Sequence, residues 1–180
     1  MKIFFTTLVL SLIFSGTVFA EAKDFALSSK SFKNGGAIPK EFTKAMGGAN
    51  SSPQLSWFNA PPDTKSFVIT CVDVHPAARR WIHWMVVNIP AQVNSLEEDA
   101  SCGNMPKGAR ELKNSFKLKG WGGPMPPLGS GVHQYVFTVY ALKKAAVKLS
   151  KQKLSEKFLL GLLAGKILAQ ASITGTYEEK

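Results

Sequence analysis

Residues 67–90 read FVITCVDVHPAARRWIHWMVVNIP, and this stretch decides the fold. Phe67 to Asp73 is an apolar, β-branched run and Trp81 to Ile89 is a second, so the pair reads as two strands joined by a loop. Side chains on a strand alternate faces. Cys71 and Asp73 therefore share a face with Phe67 and Ile69, while Trp81, His83, Met85 and Val87 share one on the second strand. If the strands are antiparallel neighbours, Asp73 leaves the sheet at the rim where His83 enters it. A carboxylate and an imidazole then meet at one end of an otherwise apolar sheet.

Downstream, residues 120–131 read GWGGPMPPLGSG, too rich in Gly and Pro for a helix or a central strand. The loop lacks the Gly-Lys-Ser/Thr of a P-loop, but backbone N–H groups in such a loop can form an anion-binding nest. It runs straight into VHQYVFTVYAL, residues 132–142, whose His133, Tyr135, Phe137 and Val139 face one way. A second histidine thus stands at a strand's start. Leu154, Phe158, Leu159, Leu162, Leu163 and Ile167 then recur at helical spacing, with Ser155 as N-cap and an expected end near Ala169. The stripe is expected to pack on the sheet. Ser172 to Tyr177 returns as a final strand.

Upstream, Phe25 to Phe42 reads as a short strand with turns, and Leu55 and Trp57 alternate with Gln54 and Ser56 as on a strand. Pro61 and Pro62 close that stretch. Glu97 to Leu118 is polar and Lys-bearing, and is expected to be a long surface excursion.

The first twenty residues read as a secretory signal: Lys2, an apolar run from Ile3 to Phe14, and small residues up to Ala20, so that Glu21 opens the mature chain. The apolar run is short for a membrane anchor. A bacterial periplasm is the expected compartment. Residues 21–180 then form a single domain, with no linker or repeat to divide it. The formal charge is +10, from 22 Lys and Arg against 12 Asp and Glu. The lysines are scattered without interleaved aromatics, which argues against nucleic acid and for a solvated basic surface. Cys71 reads as buried and Cys102 as a loop residue; an oxidising compartment permits a bridge, but nothing in the sequence brings the two together.

Asp73, His83 and His133 admit three chemistries. Two imidazoles and a carboxylate suit a facial metal site. They also suit the acid, base and orienter of a hydrolase, although no Gly-x-Ser-x-Gly elbow is present and Gly129-Ser130-Gly131 is not one. Or the imidazole N–H groups donate to an anion, with Asp73 fixing the tautomers and binding strengthened at mildly acid pH. His75, before Pro76, reads as exposed.

Five segments stand in a telling order: Asn50 to Trp57 (NSSPQLSW), the Asp73 turn, His83 to Pro90 (HWMVVNIP), Gly123 to Pro127 (GPMPP) and Gly131 to Tyr135 (GVHQY). Together they resemble the phosphatidylethanolamine-binding protein family, also called Raf kinase inhibitor-like proteins, in its bacterial branch. The resemblance implies a mainly β fold, a Greek-key β-sandwich of antiparallel sheets with a short helix near the chain's end. It also implies a small pocket for phosphate or a phosphoethanolamine-like head group. The matching positions are Asp73, Trp81, His83, Gly123, Pro126, Pro127, His133 and Tyr135.

The pattern departs from the family at four places. The usual Asp-Pro-Asp-x-Pro turn is Asp73-Val74-His75-Pro76, one residue shorter and without the second acid. Trp121 stands where a tyrosine is common, Gln134 where an arginine is usual, and Lys166 for a frequent histidine of the last helix, so an altered pocket rim is expected. Members of this family range from lipid binders to kinase and protease inhibitors, so membership alone leaves the function open. The expectation is a non-enzymatic, secreted binding protein with no cofactor and no metal. Its expected partner is a small anionic ligand, with a protein target, peripheral membrane contact and a homodimer admitted. The alternatives are an inhibitor or scaffold acting through its protein surface, and a metal-dependent hydrolase.

Overall fold

Strand β3, Ser66–Asp73, is buried along its whole length. It lies at the centre of a five-stranded sheet, antiparallel to β4 (Trp81–Pro90) on one side and to β7 (His133–Leu142) on the other. The computed structural model describes residues 24–149 and 155–180; the expected signal segment lies outside them. The sheet is completed by β6 (Arg110–Glu111) beyond β4 and β8 (Ile167–Tyr177) beyond β7. Taken as β7-β3-β4-β6, it has the spatial order of a Greek key, the last-formed strand returning beside the first. A smaller sheet places β2 (Leu55–Phe58) between β1 (Ala26–Ser28) and β5 (Ser95–Leu96).

Burial on both faces of β3 has two sources. Leu27, Leu55, Trp57 and Leu96 of the small sheet pack against Phe67, Ile69, Cys71, Trp84, Phe137 and Val139, making the sandwich core. On the outer face, helix α1 (Glu156–Leu163) lays Leu159 and Leu163 over Val68, Met85, Val87 and Leu142. A strand covered on both sides is a near-continuous apolar run, as 67–72 is with Thr70 its one polar side chain. The helix packs on the sheet as its stripe implies. Ser155 caps it, its Oγ accepting from the Phe158 N–H at 3.1 Å.

The helix is shorter than expected. It stops at Leu163, Gly165 takes φ +68°, and β8 starts at Ile167 opposite Leu142. Ile167 fits both periods, and the glycine turn together with pairing to β7 decides for the strand. Lys166 therefore belongs to the turn rather than to the helix, its Nζ donating to the Leu162 carbonyl. The polar stretch 97–118 is also more than a surface excursion. It supplies β6, and Glu111 is buried as the acceptor for Trp84 Nε1–H (2.8 Å), Ser101 Oγ–H (2.6 Å) and the Cys102 N–H (2.8 Å). Cys71 and Cys102 are free thiols, one buried and one exposed.

An irregularity in β4 positions the site. Val72 pairs with Ile82 but Cys71 with Trp84, so His83 is an extra residue in the ladder. Trp81 and His83 keep the face of Asp73, as alternation predicts. Beyond the bulge the pattern inverts: Trp84 and Val86 enter the sandwich core, while Met85 and Val87 turn to the helix. The expected common face of His83, Met85 and Val87 is thus corrected by one inserted residue.

Candidate functional site

The rim where β3 ends and β4 and β7 begin holds a cavity of about 690 Å³. Its wall includes Asp73, Trp81, His83, Pro126, Pro127, His133 and Tyr135, seven of the eight expected positions. Gly123 does not line it. Its N–H donates to Asn50 Oδ1 at 2.7 Å, and a Cβ there would lie 2.2 Å from the Phe42 carbonyl oxygen. That glycine is required by close backbone packing behind the pocket wall.

Asp73 is the hub. It is buried (3% exposed) at the end of β3, opposite Trp81 and Tyr135 in register. His133 Nδ1–H donates to its Oδ2 at 2.6 Å, and the His75 N–H donates to its Oδ1 at 2.9 Å. Both carboxylate oxygens are thereby engaged, and the short turn is tied to the ring of His133. His75 is half-buried rather than exposed: its ring stacks on His133 at 3.9 Å between centroids and 22°. Its Nδ1 accepts from the Ala77 N–H at 3.3 Å, capping the 3₁₀ turn Pro76–Ala78.

His83 is held from the glycine-rich loop. Its Nδ1 lies 2.5 Å from the Gly122 carbonyl oxygen, and the Gly122 N–H returns to the His83 carbonyl at 3.0 Å. A carbonyl can only accept, so Nδ1 carries the proton and Nε2 is a bare lone pair in the neutral ring. Burial pushes the ring down to about 4, against smaller opposing effects of the Gly122 bond and the Asp73 charge. The expected pair of N–H donors is not formed. His133 has also committed its second nitrogen, with Nε2 lying 3.0 Å from Ser130 Oγ.

The loop serves differently from an anion nest. The N–H groups of Gly120, Trp121, Gly122 and Gly123 go to Leu112 O, Ser101 Oγ, His83 O and Asn50 Oδ1. What it offers the site is a carbonyl that sets a tautomer. The chain Ser130–His133–Asp73 has the connectivity of a hydrolase triad, but Ser130 Oγ–H is directed at the Pro127 carbonyl, 2.5 Å away. Among the described residues no group of three His, Cys, Asp or Glu is placed to hold a metal ion.

Tyr135 stands between these groups. Its ring meets His83 edge-on at 5.0 Å, and its hydroxyl is fully buried with no hydrogen-bond partner among the described residues. Burial, then the Asp73 charge, pushes the phenol far above its ordinary value, so it stays a donor. An unpaired buried hydroxyl costs about 1–3 kcal/mol, and this one belongs to a residue of the cavity wall.

Several wall residues carried no signal in the sequence. Phe116 meets both Trp81 and His83 edge-on, at 5.3 and 5.7 Å, from within the stretch read as surface. Arg79 and Arg80 stand at the mouth with consecutive left-handed φ of 49° and 58°, strain of the kind that collects at functional sites. Arg80 is bidentate to Glu156 at 2.5 and 2.6 Å. Conversely, the three substituted family positions outside the turn do not line the cavity, although Trp121 packs behind His83 at 6.3 Å between centroids. Trp121 is buried, stacked on Phe137 at 5.7 Å and donating to the Phe42 carbonyl; Gln134 points to solvent; Lys166 lies in the helix-to-strand turn. Of the shortened turn, Asp73 lines the cavity, and Val74, His75 and Pro76 do not.

Comparison with known proteins agrees with this architecture. The profile of the family described as Phosphatidylethanolamine-binding protein matches residues 28–178. The UPF0098 protein YbcL of Escherichia coli K12 is 37% identical over 183 residues, covering 97% of this chain and 99% of the relative. A UPF0098 protein of Aquifex aeolicus is 40% identical over 150 residues, covering 83% and 86%. The crystal structure of YbcL, described as a new member of the mammalian PEBP family, superposes with a TM-score of 0.80 at 36% identity, over 88% of this chain and 100% of that one. The chain belongs to the phosphatidylethanolamine-binding protein family.

Proposed function

We propose that this protein is a secreted, non-enzymatic binding protein whose cavity takes a small oxyanion of the phosphate head-group type. The observation that carries this reading is the buried, unpartnered Tyr135 hydroxyl in the wall of a cavity with two arginines at its mouth. The phenol is a fixed donor, the exposed Arg79 attracts an anion while Arg80 is paired with Glu156, and Trp81, Phe116 and Pro127 leave room for an organic tail. Exposed Trp81, Met125, Leu128 and Val132 at or beside the mouth suit contact with a lipid surface. The basic balance of the chain favours the same partners. Export to the periplasm goes with this reading, and mass spectrometry of the envelope protein should find Glu21 as the N-terminus.

Calorimetric titration with inorganic phosphate and phosphoethanolamine tests the pocket. Binding by the wild type, weakened about tenfold in Tyr135→Phe by loss of one hydrogen bond, is expected. No binding of either ligand, or binding indifferent to Tyr135→Phe, would overturn the reading.

A further inference from the structure

The wall offers an anion a donor at Tyr135 and an acceptor at His83. Nδ1 of His83 is spent on the Gly122 carbonyl, which leaves Nε2 of the neutral ring as an acceptor with no donor set against it among the described residues. Both oxygens of Asp73 are occupied, and both nitrogens of His133 have partners. An anion that can only accept would therefore set an oxygen against the His83 lone pair, close to the Asp73 carboxylate. An anion carrying its own hydrogen removes that conflict and satisfies the imidazole as well.

Resting on the anion-pocket reading above, we propose that the pocket selects an oxyanion bearing an acidic hydrogen. The ligand's P–OH donates to His83 Nε2, and one of its unprotonated oxygens accepts from the Tyr135 hydroxyl. Inorganic phosphate keeps a P–OH throughout the neutral range. A phosphate monoester has one only below its second pKa of about 6. Sulfate and phosphodiesters carry none.

The pH dependence this predicts belongs to the ligand. The groups facing His83 are Asp73 on β3, His133 and Tyr135 on β7, His75 stacked behind His133, and Arg79 and Arg80 at the mouth. His83 itself stays neutral well below neutral pH, because burial holds it down to about 4. Sulfate is then the control. Protonation of His133 or His75 would tighten sulfate and monoester alike, whereas protonation of the ligand can tighten only the monoester.

The test is calorimetry with inorganic phosphate, phosphoethanolamine and sulfate at about pH 7.5 and about pH 5. With a ligand pKa of about 6, the P–OH form of the monoester grows about 30-fold between these values. Phosphoethanolamine affinity should rise by about that factor, phosphate should bind at both pH values, and sulfate should stay weak at both. His83→Asn keeps a donor for Gly122 and removes the acceptor from the Nε2 position, so it should abolish the preference for phosphate over sulfate. If sulfate binds as well as phosphate, or tightens in parallel with the monoester, the selectivity proposal falls while the anion pocket stands. If no anion binds at either pH, both fall.

Discussion

His83 and Gly122 hold each other twice, Nδ1–H to carbonyl at 2.5 Å and N–H to carbonyl at 3.0 Å. The ring is buried and neutral in the folded protein, with its value lowered from 6.5 to about 4, chiefly by burial. The unfolded chain therefore takes up the proton first as pH falls. This contribution to stability is complete above about pH 6.5 and is lost progressively toward pH 4, by about 3 kcal/mol in all. Urea unfolding of wild type and His83→Asn at about pH 7 and about pH 4.5 reads it out. The wild type should lose more stability than the variant, whose Asn donates to Gly122 without titrating. Equal losses would show that His83 is not buried neutral.

The thiols should react in sequence. Cys71 is fully buried in the sandwich core and its thiol is pushed well up, by burial first and by Asp73 second. Cys102 is exposed in a loop. Iodoacetamide should give one adduct on the native protein and two after unfolding, counted by mass spectrometry. Two native adducts would contradict the burial of Cys71, and none would contradict the free Cys102.

Gly123→Ala should destabilise the protein by about 3 kcal/mol, since the new methyl would meet the Phe42 carbonyl and the Lys44 N–H. A thermal melt decides it. An unchanged midpoint would mean that the loop can move off the 40–44 segment, and that His83 is held less firmly than described.

Much of this was legible in the residues because burial writes itself into period. The doubly covered β3 is a near-continuous apolar run and β7 alternates over its first five residues, which sets Asp73 and His133 at strand ends; that these ends meet at one rim with His83 and Tyr135 rests on the pairing of β3 with β4 and β7. What stayed hidden has local causes. A bulge adds one residue without any signal in composition, so the faces of Met85 and Val87 were misread beyond His83. Ile167 satisfies a helix and a strand equally, and only pairing with Leu142 decides. Phe116 and Glu111 sit in a polar stretch whose burial depends on β4 lying beneath it. The donor role expected of the histidines failed for a similar reason. Residue type shows that an imidazole is present, but the partner of its other nitrogen shows which atom carries the proton.

The proposed oxyanion sits between His83 and Tyr135. Two-dimensional NMR on protein labelled with ¹⁵N-histidine and ¹³C-tyrosine measures this directly. At neutral pH, His83 should show a protonated Nδ1 and a bare Nε2. Inorganic phosphate should shift that Nε2 and the Tyr135 ring saturably, with one common dissociation constant, and leave the Nδ1 proton in place. Shifts confined to histidine resonances other than His83, or no saturable shift at Tyr135, would contradict that placement.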